Sequence, residues 1–488
     1  MSVYRVPGLA SGMDIDSIVS DLMKVHRIPL DKMFQEKQRL EWKKEAYREI
    51  NSKLSNLREL AFELKLQRTF NAKKAETTNA AVVEVSAGTG AADGVYSITV
   101  EKLAKGAYLA SKSSIGLESE SSTLASLGLS KEKEYAFTIN GEKISVNADE
   151  TISDLVRKIN SAGVGVIASY DKNFDRLFLS TTSTGSSAKI EIKDANGNAK
   201  ALFAALKIEL DTDGTLKVTG RDAVFTINGV KDMTSSSNTF TLNGVTFTLK
   251  GISQTDAETV VTVGTDVDAV YKSIMDFVNA YNEVISYIND KISEPFYRDY
   301  PPLTDEMRKE LDEDQIEKWT ERARSGLLRN DSLLMNLTSA MRTALSSYIS
   351  EGNFKSLSEI GITTGPYQER GKLYVNEAKL KQAISENLQG VMDLFTNTAN
   401  GIGSKVYDEI VRGMTLITDK AGTASIVDNS ELGRRIRALD ERMDEYEKRL
   451  EMIENRYWYQ FTVMEKMINE MNIQSLWLMQ QFSMWSSG

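Results

Sequence analysis

A chain of 488 residues exceeds one ordinary domain, and at roughly 100–200 residues per domain it divides into about three or four units. With 41% hydrophobic and 26% charged residues it can bury cores, and a formal net charge of −10 argues against nucleic acid as the main partner. Cys is absent and His26 is the single histidine, which excludes the usual structural zinc, haem attachment, iron–sulfur ligation, disulfides and thiol nucleophiles, and no stretch approaches the roughly 20 apolar residues of a membrane span.

Residues 1–25 lack the basic start and apolar block of a secretory signal. Gly8-Leu9-Ala10-Ser11-Gly12 reads as a small-residue hinge, with Asp14 or Asp16 as the N-cap of a first helix. Ile15, Ile18, Val19, Leu22 and Met23 share one helix face. Pro29 predicts a stop at Ile28, which would leave His26 as a solvated helix-end residue. A second helix is expected from about Leu30 to Leu66, with Leu40, Tyr47, Leu54, Leu57, Ala61 and Leu64 on its apolar stripe. Lys37 and Lys44 interrupt that stripe.

From about residue 80 to 263 the period changes to two. Tyr96, Ile98 and Val100 alternate with Val95, Ser97 and Thr99, and Val260, Val261 and Val263 read as another strand. Phe137-Thr138-Ile139-Asn140-Gly141 recurs as Phe225-Thr226-Ile227-Asn228-Gly229 and as Phe240-Thr241-Leu242-Asn243-Gly244. Asn-Gly between β-formers is the favoured pair of a type I′ hairpin turn, so each copy predicts a hairpin. Thr151 and Asp154 form a capping box before a short helix through Ile159 that Gly163 stops. The Ser/Thr-rich stretches 180–187 and 234–238 read as exposed tips. Asp194-Ala195-Asn196-Gly197-Asn198 imitates a calcium loop, but Ala199 and Ala205 stand where glycine and the bidentate glutamate belong. Asp211-Thr212-Asp213-Gly214 reads as a hairpin turn. No Walker lysine motif and no strand-linked GxGxxG is present, and no carboxylate pair stands out for hydrolysis. No cofactor or metal is expected.

Helical periodicity resumes near Asp268 with Val270, Ile274, Phe277, Val278, Tyr281, Ile285 and Ile288. Pro295, Pro301 and Pro302 precede a charged helix over 305–324, and helices near 332–348 and 377–395 bracket an extended stretch at 373–375. At the C-terminus Leu432, Ile436, Leu439, Met443, Tyr446, Leu450, Ile453 and Tyr457 alternate steps of four and three, the seam of a coiled coil. The stripe then widens through Trp458, Phe461, Met464, Met467, Ile468 and Met471 to Leu476, Trp477, Met479, Phe482 and Trp485. Met and Trp on one face suit an adaptable protein contact.

The expected fold is multidomain α+β: a helical, coiled-coil-like stalk from paired N- and C-terminal segments, with inserted β-rich domains. The expected division is a flexible leg (1–40 and 435–488), a stalk (41–75 and 268–434), one β-rich plate domain (76–125 and 226–267) and a second with a short helix (126–225). The candidate oligomer and partner interface is Ile15, Ile18 and Leu22 with Leu432, Ile436, Leu439, Met443, Leu450, Ile453, Tyr457, Trp458, Phe461, Met464 and Met471.

The strings Gly8-Leu9-Ala10-Ser11-Gly12-Met13-Asp14-Ile15-Asp16, Arg456-Tyr457-Trp458-Tyr459-Gln460-Phe461-Thr462 and Met471-Asn472-Ile473-Gln474-Ser475 resemble the terminal motifs of the flagellar filament cap family, the hook-associated proteins 2. Phe277-Val278-Asn279-Ala280-Tyr281-Asn282 and Ile360-Gly361-Ile362 are also similar to that family, and the three hairpin copies resemble a motif of hook and filament proteins. The resemblance implies a non-enzymatic assembly factor. It implies a homo-oligomeric ring of about five or six copies at the distal filament tip, which retains exported flagellin and helps it fold and polymerise. It further implies extracellular location, export unfolded through the flagellar channel without a cleaved signal, and an export chaperone on the C-terminal helix. Neither nucleic acid nor membrane is an expected partner. The rival expectations are a hook-junction protein or flagellin, an adhesin binding host mucus or glycans through loops such as 180–187, and a cell-wall hydrolase.

Overall fold

The computed structural model describes residues 12–254, 257–350, 352–398, 400–423 and 428–485, with residues 483–485 described by backbone alone. The hinge residues at 8–11 and the Trp485 side chain lie outside this description. The chain divides into two compact units, residues 1–70 with 268–488, and residues 71–267.

The first unit begins with α1 (Ile15–Leu64), 50 residues long, whose N-cap Asp14 accepts from the Ser17 amide at 3.0 Å. Pro29 lies inside this helix and does not end it, against the expectation of a stop at Ile28. Proline removes one helix hydrogen bond, to the carbonyl of Val25, and Val25 and Ile28 are both on the solvent side. Met23 and Leu30, on either side of the proline, pack into one apolar cluster with the C-terminal helix. Burial flanking the site thus outweighs a local penalty of about 3 kcal/mol. A single turn, α2 (Gln67–Phe70), follows.

The second unit runs through β1 (Lys73–Thr77), β2 (Val83–Ala87), β3 (Gly94–Lys102), β4 (Tyr108–Ala110), β5 (Glu134–Ile139), β6 (Glu142–Asn147), α3 (Ile152–Ser161), β7 (Val166–Asp171), β8 (Arg176–Thr181), β9 (Lys189–Asp194) and α4 (Ala199–Ala205). It closes with β10 (Thr215–Thr219), β11 (Ala223–Ile227), β12 (Val230–Ser235), β13 (Thr239–Leu242), β14 (Val245–Leu249) and β15 (Thr259–Thr265). The sheet β1-β15-β3-β11-β12 and the sheet β13-β14-β2 share one core, in which the Phe240 ring stacks between Phe225 (4.5 Å) and Phe247 (5.2 Å). The sheets β10-β9-β5-β6 and β4-β8-β7, with α3 and α4, share another, centred on the edge-to-face pair Phe137 and Phe203.

The Asn-Gly pair of each of the three repeated strings turns a hairpin: Ile139 faces Glu142, Ile227 faces Val230 and Leu242 faces Val245. Both turn residues have positive φ in each, from 49° to 51° at Asn140, Asn228 and Asn243 and from 77° to 96° at the glycines, as a type I′ turn requires. The Thr151–Asp154 capping box is present. The stretches 180–187 and 234–238 expose Thr182, Ser183, Ser186, Ser187, Thr234, Ser236 and Ser237, as expected, and are also bonded to their surroundings. Thr184 Oγ1 donates to the Ser236 carbonyl at 2.6 Å, and the Asn238 amide pairs with both the N–H (2.7 Å) and the carbonyl (3.0 Å) of Ala104. The Asp194 carboxylate accepts backbone bonds from Asn196, Gly197 and Lys200 and so caps the start of α4. Residues 211–214 form a turn leading into β10, closed by Gly214 N donating to the Asp211 carbonyl, and not a hairpin between two strands.

The first unit resumes with α5 (Val267–Ser293), whose predicted apolar face is buried. The charged helix expected over 305–324 is two, α6 (Asp305–Lys309) and α7 (Glu313–Arg324), because Asp312 starts a new capping box with Gln315. Then come α8 (Ser332–Leu345), the pair β16 (Ile362–Thr364) and β17 (Leu373–Val375), α9 (Glu377–Glu386) and α10 (Leu388–Thr396). The helix expected over 377–395 is thus interrupted at Asn387, whose side chain caps α10. Last are α11 (Ile402–Ala421) and α12 (Glu431–Trp485). α11 packs against α1 and α8, and at Gly413 any side chain would overlap Leu337.

Candidate interaction surface of the terminal helices

α12 lies antiparallel along α1. Lys37 meets Asp440 at 2.6 Å, Lys44 meets Asp428 at 3.1 Å, and His26 Nε2 lies 3.1 Å from the Tyr457 hydroxyl. The two lysines that spoil the apolar stripe of α1 therefore face acids of the returning chain. The hydrogen bond from Lys37 to Asp440 holds that ammonium pKa up, burial opposing it. At Asp428 burial pushes the carboxyl up, but hydrogen bonds from Ser430 and Lys44 win and hold it at about 2. His26 sits in mid-helix against α12, not at a helix end; its carbonyl also accepts from the Tyr446 hydroxyl at 3.3 Å.

The predicted interface residues separate into three groups. Leu432, Ile436, Leu439, Leu450 and Trp458 are buried, as is Ile15 on the opposite helix, while Met443, Ile453, Tyr457, Phe461, Met464 and Ile18 are half-buried. Leu450, Ile453, Tyr457, Trp458 and Phe461 join Ile15, Val19, Met23 and Leu30 in one cluster, so the heptad seam is satisfied within the chain. Leu22 and Met471 are exposed, the latter at 62%. Val19, Met23, His26 and Leu30 were not among the predicted interface residues. The first two lie on the same helical stripe as Ile15, and the period alone could have added them.

From the pair Lys37–Asp440, stepping back 22 residues along α1 reaches Ile15, and the same step forward on α12 reaches residue 462. The rest of α12, at about 1.5 Å per residue, is roughly 35 Å of helix beyond the start of α1. It carries Met467, Met471, Ile473, Leu476, Trp477, Leu478, Met479 and Phe482, all exposed, with Phe482 at 71%. Exposed apolar surface of this extent is of the kind that protein contacts use.

Residues 294–331 brace α1 near its proline. Arg27 meets Glu306 at 3.4 Å, Arg324 meets Glu45 at 2.7 Å, and the Arg324 guanidinium lies over the Trp42 ring. Trp319 Nε1 donates to the Pro301 carbonyl at 2.7 Å, which closes the segment on itself. Burial, with Glu306 beside it, pushes the Asp31 carboxyl up. Among the described residues no group of three or more His, Asp or Glu side chains could hold a metal ion, and no helix is long and apolar enough to cross a membrane.

Residues 220–473 match a family model described as flagellar hook-associated protein 2 C-terminus, residues 11–107 one described as flagellar hook-associated protein 2 N-terminus, and residues 136–183 the flagellin hook IN motif. The flagellar hook-associated protein 2 of Halalkalibacterium halodurans is 32% identical, covering 98% of this chain and 99% of that one. Its counterparts in Thermotoga maritima (98% and 95% covered) and Escherichia coli K12 (97% and 97%) are each 25% identical. Among solved structures, the D1-D2-D3 domains of the Escherichia coli flagellar cap protein FliD share the fold, with a TM-score of 0.56 at 21% identity over 75% of this chain and 95% of that one.

Proposed function

Because the chain belongs to the flagellar hook-associated protein 2 family, we propose that it caps the flagellar filament through the free end of α12. It is a flagellar filament cap protein, one that associates with itself and with flagellin. What supports a role for that helix end is the division of labour along it. Its first half is consumed by α1, whereas Met467 to Phe482 remain exposed on an apolar surface. Met side chains adapt to more than one packing, which suits a cap that shifts as each flagellin is added.

The finer reading is a ring of about five or six copies, closed as symmetric oligomers close. In it 1–40 and 435–488 serve as leg, 41–75 and 268–434 as stalk, and the two β-rich cores as plate domains. The ring retains exported flagellin at the distal tip and promotes its folding, a structural rather than catalytic task. Before assembly the apolar end of α12 needs a cover, the place for an export chaperone on a chain that leaves through the flagellar channel. No observation favours the adhesin reading, whose candidate loop at 180–187 is bonded to 234–238.

The test is a chain ending at residue 465 expressed in cap-deficient cells. Flagellin lost to the medium as monomer, with the truncated protein still folded, supports the reading. Normal filaments from that truncation would overturn it.

A further inference from the structure

In the helical unit three arginines line one cleft whose wall carries no acidic side chain. The cleft, about 570 Å³, is walled by Arg329, Arg342 and Arg370 with Asn289, Asn330 and Tyr367, and no acidic side chain lines it. Among the described residues none of the three arginines has an ion pair, in a chain whose net charge is −10. A neighbouring depression shares Arg370 and adds Lys372; its acids are Asp290 and Glu369, and Glu369 holds the Tyr374 hydroxyl pKa up.

The arginines are placed by fixed backbone. Arg370 and Asn330 both hold left-handed φ, 51° and 53°, and both turns are tied to α5: Asn330 N donates to the Ile292 carbonyl at 3.0 Å and Asn289 Nδ2 to the Arg370 carbonyl at 3.4 Å. The Tyr281 hydroxyl donates to the Gly371 carbonyl at 3.2 Å. Gly371 has φ +101°, and a Cβ there would lie 2.6 Å from Cδ and Nε of Arg342, so only glycine lets that side chain run past the turn into the cleft. Three arginines in the wall of one cleft favour an anion there, and guanidinium groups match carboxylates with paired, directional bonds.

The same unit carries the complement. On α7, Asp314, Glu317 and Glu321 fall at i, i+3 and i+7 and form one exposed stripe, opposite the face of Ile316, Trp319, Thr320 and Ala323 that turns inward. None of these three acids has an ion pair among the described residues. Arg324 on the same helix is held to Glu45 on α1, and among the described residues no ion pair joins the stripe to the cleft within one chain. We infer that the three-arginine cleft docks the acidic stripe of α7 from a second copy of the chain. The inference rests on the self-association proposed above, and it gives residues 294–331 a role between copies.

The test follows the mass of the full chain by light scattering over a concentration and salt series. One variant joins Arg342→Glu with Arg370→Asp, since Asp tolerates a left-handed backbone; the other joins Asp314→Lys, Glu317→Lys and Glu321→Lys. Circular dichroism melts confirm that both fold. Each variant alone should associate at least tenfold more weakly than the parent chain, while an equimolar mixture, in which cleft and stripe are again opposite in sign, recovers association. Parent-like association of the arginine variant would overturn the inference and leave self-association standing. Weakening without recovery in the mixture would overturn α7 as the occupant. A parent chain monomeric at every concentration would instead remove the self-association reading, and the inference with it.

Discussion

The Tyr457 hydroxyl lies 3.1 Å from Nε2 of His26, joining two residues 431 positions apart across the α1–α12 hairpin. Tyr446, about three turns earlier on α12, donates to the His26 carbonyl. A single histidine is thus a polar pin in the seam, beside the Lys37–Asp440 ion pair. Tyr457→Phe keeps the ring and removes the hydroxyl, so it should lower the stability of the helical unit by about 1 kcal/mol. Urea unfolding followed by helical circular dichroism reads this; no change in midpoint would mean that water replaces the contact without loss.

Pro29 sits in a continuous helix, so Pro29→Ala should stabilise it. The new amide can bond the Val25 carbonyl, and after allowance for the more flexible unfolded chain the gain should be about 1–2 kcal/mol. A chain whose helix ends at Ile28 would gain nothing from the same change, and thermal melting separates the two.

The two halves of α12 should respond differently to a charge. Leu450 is 6% exposed in the seam, and Leu450→Asp should destabilise the helical unit by about 3 kcal/mol or more. Trp477 is 58% exposed, and Trp477→Asp should leave stability within about 0.5 kcal/mol while impairing cap assembly. Equal losses of stability in both would mean that the helix end is packed within the chain.

Asp428 should contribute to the acid limb of the stability curve. Its carboxyl is held at about 2, below its ordinary value of 3.8. A depressed carboxyl stabilises the fold above the unfolded value and ceases to do so as pH falls through the folded one. Asp428→Asn should therefore flatten the loss of stability between about pH 4 and 2, and denaturant midpoints across that range provide the check. An unchanged slope would show that Lys44 and Ser430 do not hold the charge.

The hairpin glycines should not be equivalent. Gly229→Ala meets open space and bears only the positive φ, a penalty of roughly 1–2 kcal/mol. Gly244→Ala adds a Cβ 2.9 Å from Cα of Ala91 and should destabilise more. Melting of the second unit in the two variants ranks them; the reverse order would contradict the packing of β13 and β14 on residues 88–91.

These hairpins were legible because Asn-Gly acts over four residues, and the seam from Leu432 to Tyr457 because its period is written along one helix. What escaped depended on residues distant in sequence. Pro29 reads as a break until Met23 and Leu30 are seen to share a partner. Lys37 and Lys44 look like flaws until Asp440 and Asp428 return beside them. α11 escaped although Ile402, Val406, Ile410, Gly413 and Ile417 carry a helical period; Gly413, which interrupts the apolar spacing, is where Leu337 packs closely. The cleft of Arg329, Arg342 and Arg370 has no local signature, since three separate elements bring its charges together.

The most direct test of the central claim is hydrogen exchange along α12, in the isolated chain and in the chain bound at the ends of flagellin filaments. Protection gained across residues 467–482, with the seam at 432–457 protected in both states, is the predicted result. Protection gained elsewhere while 467–482 exchanges as before would contradict the assignment of the free helix end as the surface through which the cap works.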